Sequence, residues 1–322
     1  MRVALAGLGD IGLTAHLPAL LRHPSVEVVR VVDPSPERRA LAARAVPAGT
    51  AVEAELDPDE VDGVVLATPP WITPDLTVRY AEAGLLVLAE KPVATSVEAA
   101  GIYAQLDEAQ RQRVQVGLTY RHDPAIEQLA AWIKDGTLGD RILVRAHIYD
   151  EASRPADAEH TARITATLAH GMPVVHEGAH VFDWLSHLLG GPPDSVDDAW
   201  SLGTRPDLPA ANLTGARLSY PGGHRALVEF GWFTAALPRC ELTFLGDRGL
   251  ATLDGFTFDL RLTTADGERT VRFPGDRMTR CFDLQVQRFV ELYDGTRTAG
   301  VPSLDDGIAA LRTAQLVAGR AG

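Results

Sequence analysis

Short apolar runs rich in β-branched residues alternate with helical patterns from residue 1 to about 120. The pattern predicts strands at Val3–Ala6, Val26–Val32, Gly63–Ala67, Leu85–Ala89 and Val114–Gly117. Between them, Pro36–Ala45, Pro74–Ala83 and Ser96–Ala109 each open on a proline or a helix-start residue and have the length of a crossover helix. Strands alternating with helices imply a parallel sheet covered on both faces. Past Gly117 the texture changes. Pro124–Asp135 reads as a helix with Ile126, Leu129, Ala130 and Ile133 on one face, closed by Gly136 and Gly139. A strand is expected at Arg141–Tyr149, a polar stretch near 150–165, and a helix at Ala179–Leu189. Residues 195 to 274 carry strand-like segments separated by Gly, Asp and Pro, the texture of an antiparallel sheet, and two helices near 282–293 and 303–318 finish the chain.

With 322 residues, two domains are expected. The predicted architecture is α/β: residues 1–120 form a doubly wound parallel sheet, and residues 121–322 an α+β domain with a large, mostly antiparallel open sheet. The helix at about 303–318 is expected to pack back on the first domain. Hydrophobic residues make up 46% and charged residues 23% of the chain, and no run approaches the roughly 18 apolar residues of a membrane span. A soluble protein follows, and the two cysteines suit a cytoplasmic one. A net charge of -13 argues against a nucleic-acid partner, which demands clustered positive charge.

Gly7, Gly9 and Gly12 form G-x-G-x-x-G directly after the first strand and at the opening of a helix, the context in which this motif binds a dinucleotide. Asp10 and Ile11 are its variable positions. The first glycine permits the turn, the second lets the backbone approach a pyrophosphate, and the third allows helix to pack on strand. Asp33 ends the second strand, where a carboxylate accepts hydrogen bonds from the adenosine ribose hydroxyls and repels a 2′-phosphate. NAD is therefore expected, with NADP as the alternative, because Arg38 and Arg39 stand close enough in sequence to offset that repulsion. The first domain is read as a Rossmann domain.

Four further segments, ATPP at 67–70, AGLLVLAEKPVA at 83–94, YRHDPAIEQLAAWIKDGTLGDRI at 120–142 and HEGAHVFDWLSHLLG at 176–190, complete a pattern that resembles the Gfo/Idh/MocA family of glucose-fructose oxidoreductases and inositol dehydrogenases. The resemblance implies an NAD(P)-dependent dehydrogenase or reductase acting on a secondary alcohol or ketone of a sugar, cyclitol or derivative. It also implies that Thr68 and Pro69 line the cofactor and that Lys91, within Glu90-Lys91-Pro92, sits beside the nicotinamide and the substrate hydroxyl. The residues alone agree about Lys91: it follows an apolar strand at the carboxyl edge of the sheet, where doubly wound folds bind ligands, and an ammonium there stabilises negative charge on a substrate oxygen. Tyr120 and Arg121 end the last strand at the same edge, so Arg121 reads equally as a substrate or cofactor contact or as a structural ion pair.

The family reads D-x-G-x-H-x-x-D where this chain has His176-Glu177-Gly178-Ala179-His180-Val181-Phe182-Asp183. His180 matches the histidine and is the candidate general acid/base. Asp183, one turn on, orients it or caps the helix. His176 replaces the aspartate, and with Lys91, His180 and Arg121 it suggests a less negative pocket suited to an acidic substrate. Two histidines four apart also invite a metal reading, which the intervening Gly178 and the lack of a third ligand weaken, so no metal is expected. His16, His23, His122, His147, His160, His170, His187 and His224 lack comparable support, though His122 and His160 could face the pocket. Trp200, Phe230 and Trp232 alternate along strand-like segments, which suggests a packed sheet face or an interface between copies, giving a homodimer or homotetramer. The lost aspartate leaves two rivals open: a cofactor-binding sensor with weak catalysis, and a dehydrogenase of a non-sugar substrate.

Overall fold

The structure, a computed structural model, describes residues 1–154, 156–234 and 239–322. It divides into two compact units, Met1–His122 with Met278–Ile308, and Asp123–Arg277 with Ala309–Gly322.

In the first unit, β1 (Arg2–Ala6), β2 (Glu27–Val32), β3 (Ala51–Glu53), β4 (Gly63–Leu66), β5 (Leu86–Glu90) and β6 (Val114–Gly117) form one parallel sheet in the order β3-β2-β1-β4-β5-β6. That order reverses between β1 and β4, the point where such sheets open a crevice at their carboxyl ends. Strand β3 escapes the sequence pattern because three half-buried residues are too few to show alternation. The crossovers are α1 (Leu17–Arg22), α2 (Pro36–Ala42), α3 (Thr73–Glu82) and α4 (Glu108–Gln112). The stretch read as one helix at 96–109 is two pieces: a 3-10 segment at Ala99–Gln105 gives way to α4, which starts where Asp107 and Gln110 form a capping box. That box satisfies N–H groups reciprocally, so a new helix start is favoured over continuation. Val3, Leu5, Val31, Val65 and Leu88 of the sheet pack with Leu17 and Leu20 and with Phe282, Val286 and Phe289 of the helix Arg277–Tyr293. Each such buried side chain contributes about 1.5–3 kcal/mol relative to exposure.

The second unit begins with α5 (Pro124–Lys134), whose N-cap Asp123 accepts from Ala125 N, and continues through β7 (Leu143–Ala152), α6 (Ala158–Leu168) and α7 (Pro173–Leu188). Strands β8 (Ser195–Leu202), β9 (Leu213–Ser219), β10 (Arg225–Thr234), β11 (Arg239–Leu245), β12 (Gly249–Asp254), β13 (Leu260–Thr264) and β14 (Gly267–Val271) follow. With β7 they form an eight-stranded sheet, order β14-β13-β12-β11-β7-β10-β9-β8, antiparallel except for β7 against β10. Val144, Ala146 and Ile148 of β7 bury one face. On the other, the register sets Trp200, Leu202, Leu227 and Leu245 among polar neighbours, all of them exposed.

Two expectations change here. The polar stretch near 150–165 contains the last residues of β7 and most of α6, which buries His160, Ile164 and Leu168 at four-residue spacing behind an Asp157 cap. Helix α7 starts at Pro173, well before Ala179, and runs through Gly178. The glycine is there for space: a Cβ would lie 2.9 Å from the Phe182 ring and 3.3 Å from Ala314. His176 and His180 therefore share one face of a continuous helix. Gly178→Ala gains up to about 1 kcal/mol of helix propensity but overpacks at a cost of about 1–3 kcal/mol, so chemical denaturation should show net destabilisation or, at most, no gain.

Candidate functional site

The nucleotide half of the site lies in the first unit. Gly7 has φ +92°, and a Cβ there would stand 2.3 Å from the Ala67 carbonyl oxygen. At Gly12 a Cβ would stand 2.2 Å from the Gly7 carbonyl oxygen. Gly9 differs, with nothing within 4 Å of its Cβ position. Two glycines of the motif are thus closed by protein backbone, while the middle one faces open space beside a helix start. Asp10 and Ile11 stand exposed next to it. This is the fit a dinucleotide pyrophosphate requires: N–H groups and a partial positive charge with room for close approach.

Asp33 is half-buried, its carboxylate accepting from Leu8 N at 2.9 Å and Ser35 N at 2.8 Å. It ties the glycine turn to the end of β2 and keeps lone pairs for a ribose. Arg38 reaches the same turn, 3.4 Å from the Leu8 carbonyl and 3.4 Å from Asp10 Oδ1, while Arg39 donates to the Asp33 and Pro34 carbonyls. At the end of β4, the Thr73 hydroxyl donates to the Thr68 and Pro69 carbonyls at 3.0 and 3.1 Å, pinning that loop.

Lys91 and Pro92 follow β5, both half-buried. Glu90 is buried and held on both oxygens, by Lys91 N at 3.0 Å and by His16 Nε2 at 2.8 Å. His16, wholly buried, comes from the wide π-turn Gly12–His16 that opens on the third glycine. The helix that begins at the glycine turn is thereby fastened to the residue preceding Lys91. Tyr120 donates to the Met278 sulfur at 3.1 Å, and Arg121, its side chain 8% exposed, pairs with Asp306 at 3.0 Å. That pair holds the Asp306 carboxyl below its usual range despite burial. The structural reading of Arg121 thus has a named partner. Behind it, burial first and then the Arg288 and Arg121 charges push His122 down to about 3, so it stays a neutral core residue.

The second unit holds the other residues. His180 and Asp183 are buried on α7, with His180 stacked on Trp184 at 6.3 Å. His176 contacts the Gly171 carbonyl at 3.2 Å and stacks on the Trp232 indole at 5.3 Å and 19°. The indole N–H in turn donates to Asp150 Oδ1 at 2.9 Å. Burial, and next the charge of Glu177, raise the Asp150 carboxyl to about 7 against the pull of that hydrogen bond. Within this unit, the surroundings of His176 thus include two carboxyl groups, Asp150 by way of the indole and Glu177 next in sequence. Among the described residues no group of three or more His, Cys, Asp or Glu side chains is arranged to hold a metal.

Two family patterns divide the chain as the structure does. Residues 1–118 match an oxidoreductase family with an NAD-binding Rossmann fold, and residues 126–252 match the GFO/IDH/MocA C-terminal domain. The chain belongs to the Gfo/Idh/MocA family. With membership come the oxidoreductase class and the nicotinamide cofactor. A rhizopine catabolism protein MocA of Rhizobium meliloti is 32% identical over 204 residues, 63% of this chain and 62% of that protein. An inositol 2-dehydrogenase of Corynebacterium glutamicum is 25% identical over 97% of this chain and 91% of its own length. An Agrobacterium radiobacter oxidoreductase, solved with NAD+, L-tartaric acid and magnesium, shares the fold at TM-score 0.82 and 15% identity, covering 98% of this chain and 94% of that one.

Sequence reasoning gave no site role to His16, Asp150, Glu177 or Trp232 in this Gfo/Idh/MocA chain. His16 had no motif of its own; Asp150 fell one residue past the expected strand end. A signal for Asp150 was present, since it continues the buried register Val144, Ala146, Ile148 with a carboxylate. Gly9→Ala should leave stability within about 0.5 kcal/mol, as open positions do, yet weaken NADH binding measured by fluorescence titration. Gly7→Ala should instead lower the unfolding midpoint, since its Cβ has no room.

Proposed function

We propose that this protein is a dehydrogenase or reductase that moves a hydride between nicotinamide and the secondary alcohol or ketone carbon of a neutral cyclitol or sugar. The observation that carries the reading is the His16–Glu90 contact at 2.8 Å, which locks the phosphate-receiving helix to the strand end that presents Lys91. A group so fastened holds its geometry when ligand binds. When bound, the nicotinamide supplies hydride acceptance or donation at C4. Lys91 donates a hydrogen bond to the substrate oxygen and stabilises negative charge on it as the carbon changes hybridisation. His180 takes the hydroxyl proton in oxidation and returns it in reduction. Tyr120 and Arg121 flank the same strand end, with Arg121 held rigid by Asp306. Asp33 favours NAD, while Arg38 keeps NADP within reach as the weaker cofactor.

A neutral substrate class is supported by Glu177 and, once ionised, Asp150, which oppose an anionic group near His176, and by the inositol dehydrogenases among the relatives. Exposed Trp200, Leu202, Leu227 and Leu245 on the open sheet face support a homodimer or homotetramer, and the free Cys240 and Cys281 suit the cytoplasm. Leu227→Glu should then yield monomers in sedimentation velocity.

Turnover with NAD should be higher on neutral cyclitols and pyranoses than on the matching uronates; a consistent uronate preference would overturn the substrate assignment. Lys91→Met should lower kcat by about 10²–10³-fold while NADH binding is kept. Equal losses in cofactor binding and turnover would reduce Lys91 to a structural role.

A further inference from the structure

The position at which this family carries an aspartate holds His176, and what surrounds that imidazole is specific. Its ring lies nearly parallel to the indole of Trp232, centroids 5.3 Å apart, and Nε2 is 3.2 Å from the Gly171 carbonyl. The indole is delivered by an irregular strand end: the β10–β7 register shifts on both sides of Trp232, and the next residue, Phe233, has φ +55°. Bulges re-aim side chains, and an aromatic residue in the left-handed region is strained, so ordinary strand geometry would not put the indole there. Trp232 is 3% exposed, and its single polar atom donates to Asp150 Oδ1 at 2.9 Å. Asp150 sits on the covered face of β7, in register with Ala146 and Ile148.

We propose that Asp150 is the positioning residue of His176, acting through Trp232 to give the imidazole the orientation and the negative field that an aspartate at position 176 would supply directly. The proposal rests on the reading of this site as a hydride-transfer centre. Asp150 fixes the plane of the indole by accepting its N–H, and the indole fixes the plane of the imidazole by stacking. A carboxylate on the N–H also makes the indole face more electron-rich, which favours a cation stacked against it.

Other charged groups stand around Asp150 among the described residues. Glu177 of α7 adds negative charge. Glu151, next along β7, is engaged by Arg163 at 3.2 Å and His160 at 3.7 Å. Cys240 of β11 is a neutral thiol, pushed up to about 12 mainly by burial and then by Asp150, with Arg277 opposing and Glu177 and Asp254 adding to the rise. Because burial and Glu177 raise the Asp150 carboxyl, its field is weaker in acid than in mild alkali.

The test is the titration of His176 in the full-length protein, followed by NMR of ¹³C-labelled histidine and assigned by the signal lost in His176→Gln. Asp150→Asn is expected to lower the His176 midpoint by about one pH unit, because a neutral amide withdraws the field that favours the imidazolium. Trp232→Phe keeps an aromatic face but loses the donor, and it should shift the midpoint in the same direction; it also serves if the Asp150 variant folds poorly. In steady state, Asp150→Asn should lower kcat at pH 8 by about 10- to 100-fold with KM for NAD retained, and by less at pH 6. An unshifted midpoint in Asp150→Asn overturns the proposal. A shift in that variant with none in Trp232→Phe overturns the route through the indole. A shifted midpoint in a protein that turns over no polyol upholds the positioning and sinks the proposed reaction. Turnover with an unshifted midpoint does the reverse.

Discussion

The contact between the backbone at Gly7 and the carbonyl of Ala67 is the constraint from which the nucleotide half of this protein follows. Strands β1 and β4 are neighbours at the point where the sheet order reverses, and the chain must leave both carboxyl ends through the same narrow space. Only a residue without Cβ fits there, since at φ +92° a Cβ would stand 2.3 Å from that oxygen. Once it has passed, Gly12 folds back onto Gly7, Gly9 is left facing outward, and the helix starts with its free N–H groups toward the opening. His16 then falls inside the unit, against Glu90. A steric rule at one turn sets where phosphate is received and, through His16, steadies the residue ahead of Lys91.

That His16–Glu90 contact is a poor device for stability. An imidazole with no exposure beside a buried carboxylate costs desolvation that its attraction only partly repays. Its use is registry. Glu90 also accepts from Lys91 N, and Gly117 on the neighbouring strand leaves room for it, since a Cβ there would lie 2.9 Å from Glu90 Oε1. Three chain segments thus agree on one carboxylate position, and an apolar pair could not hold Lys91 N by a hydrogen bond.

The first unit was legible because its signals are local. Five of its strands are short, mostly apolar runs, and the glycine spacing is a direct image of the turn. Elsewhere the physics is not local. Gly178 reads as a helix breaker until Phe182 and Ala314 are seen filling the space beside it. Helix α6 was missed because His160, Ile164 and Leu168 are its entire buried stripe among threonine, alanine and arginine. His16 and Asp150 became meaningful only with partners 74 and 82 residues away in the chain. No spacing rule reaches that far. His176 and His180 were singled out on the resemblance, which carries motifs that composition and periodicity do not contain, and Lys91 on the resemblance together with its place at the end of an apolar strand.

The exchange of aspartate for histidine at position 176 looks, in sequence, like the loss of a catalytic charge. The structure sets a carboxylate, Asp150, behind the indole on which His176 stacks. Burial and the charge of Glu177 raise the Asp150 carboxyl well above its ordinary range, toward neutrality. The field acting on the imidazole therefore depends on pH. It weakens in acid, where the carboxyl is protonated, and strengthens in mild alkali. Proton release accompanies alcohol oxidation and proton uptake accompanies ketone reduction. A negative field that grows with pH steadies the imidazolium under the conditions in which free protons are scarce. Placing the carboxylate behind an indole makes the proton affinity of His176 responsive to its surroundings.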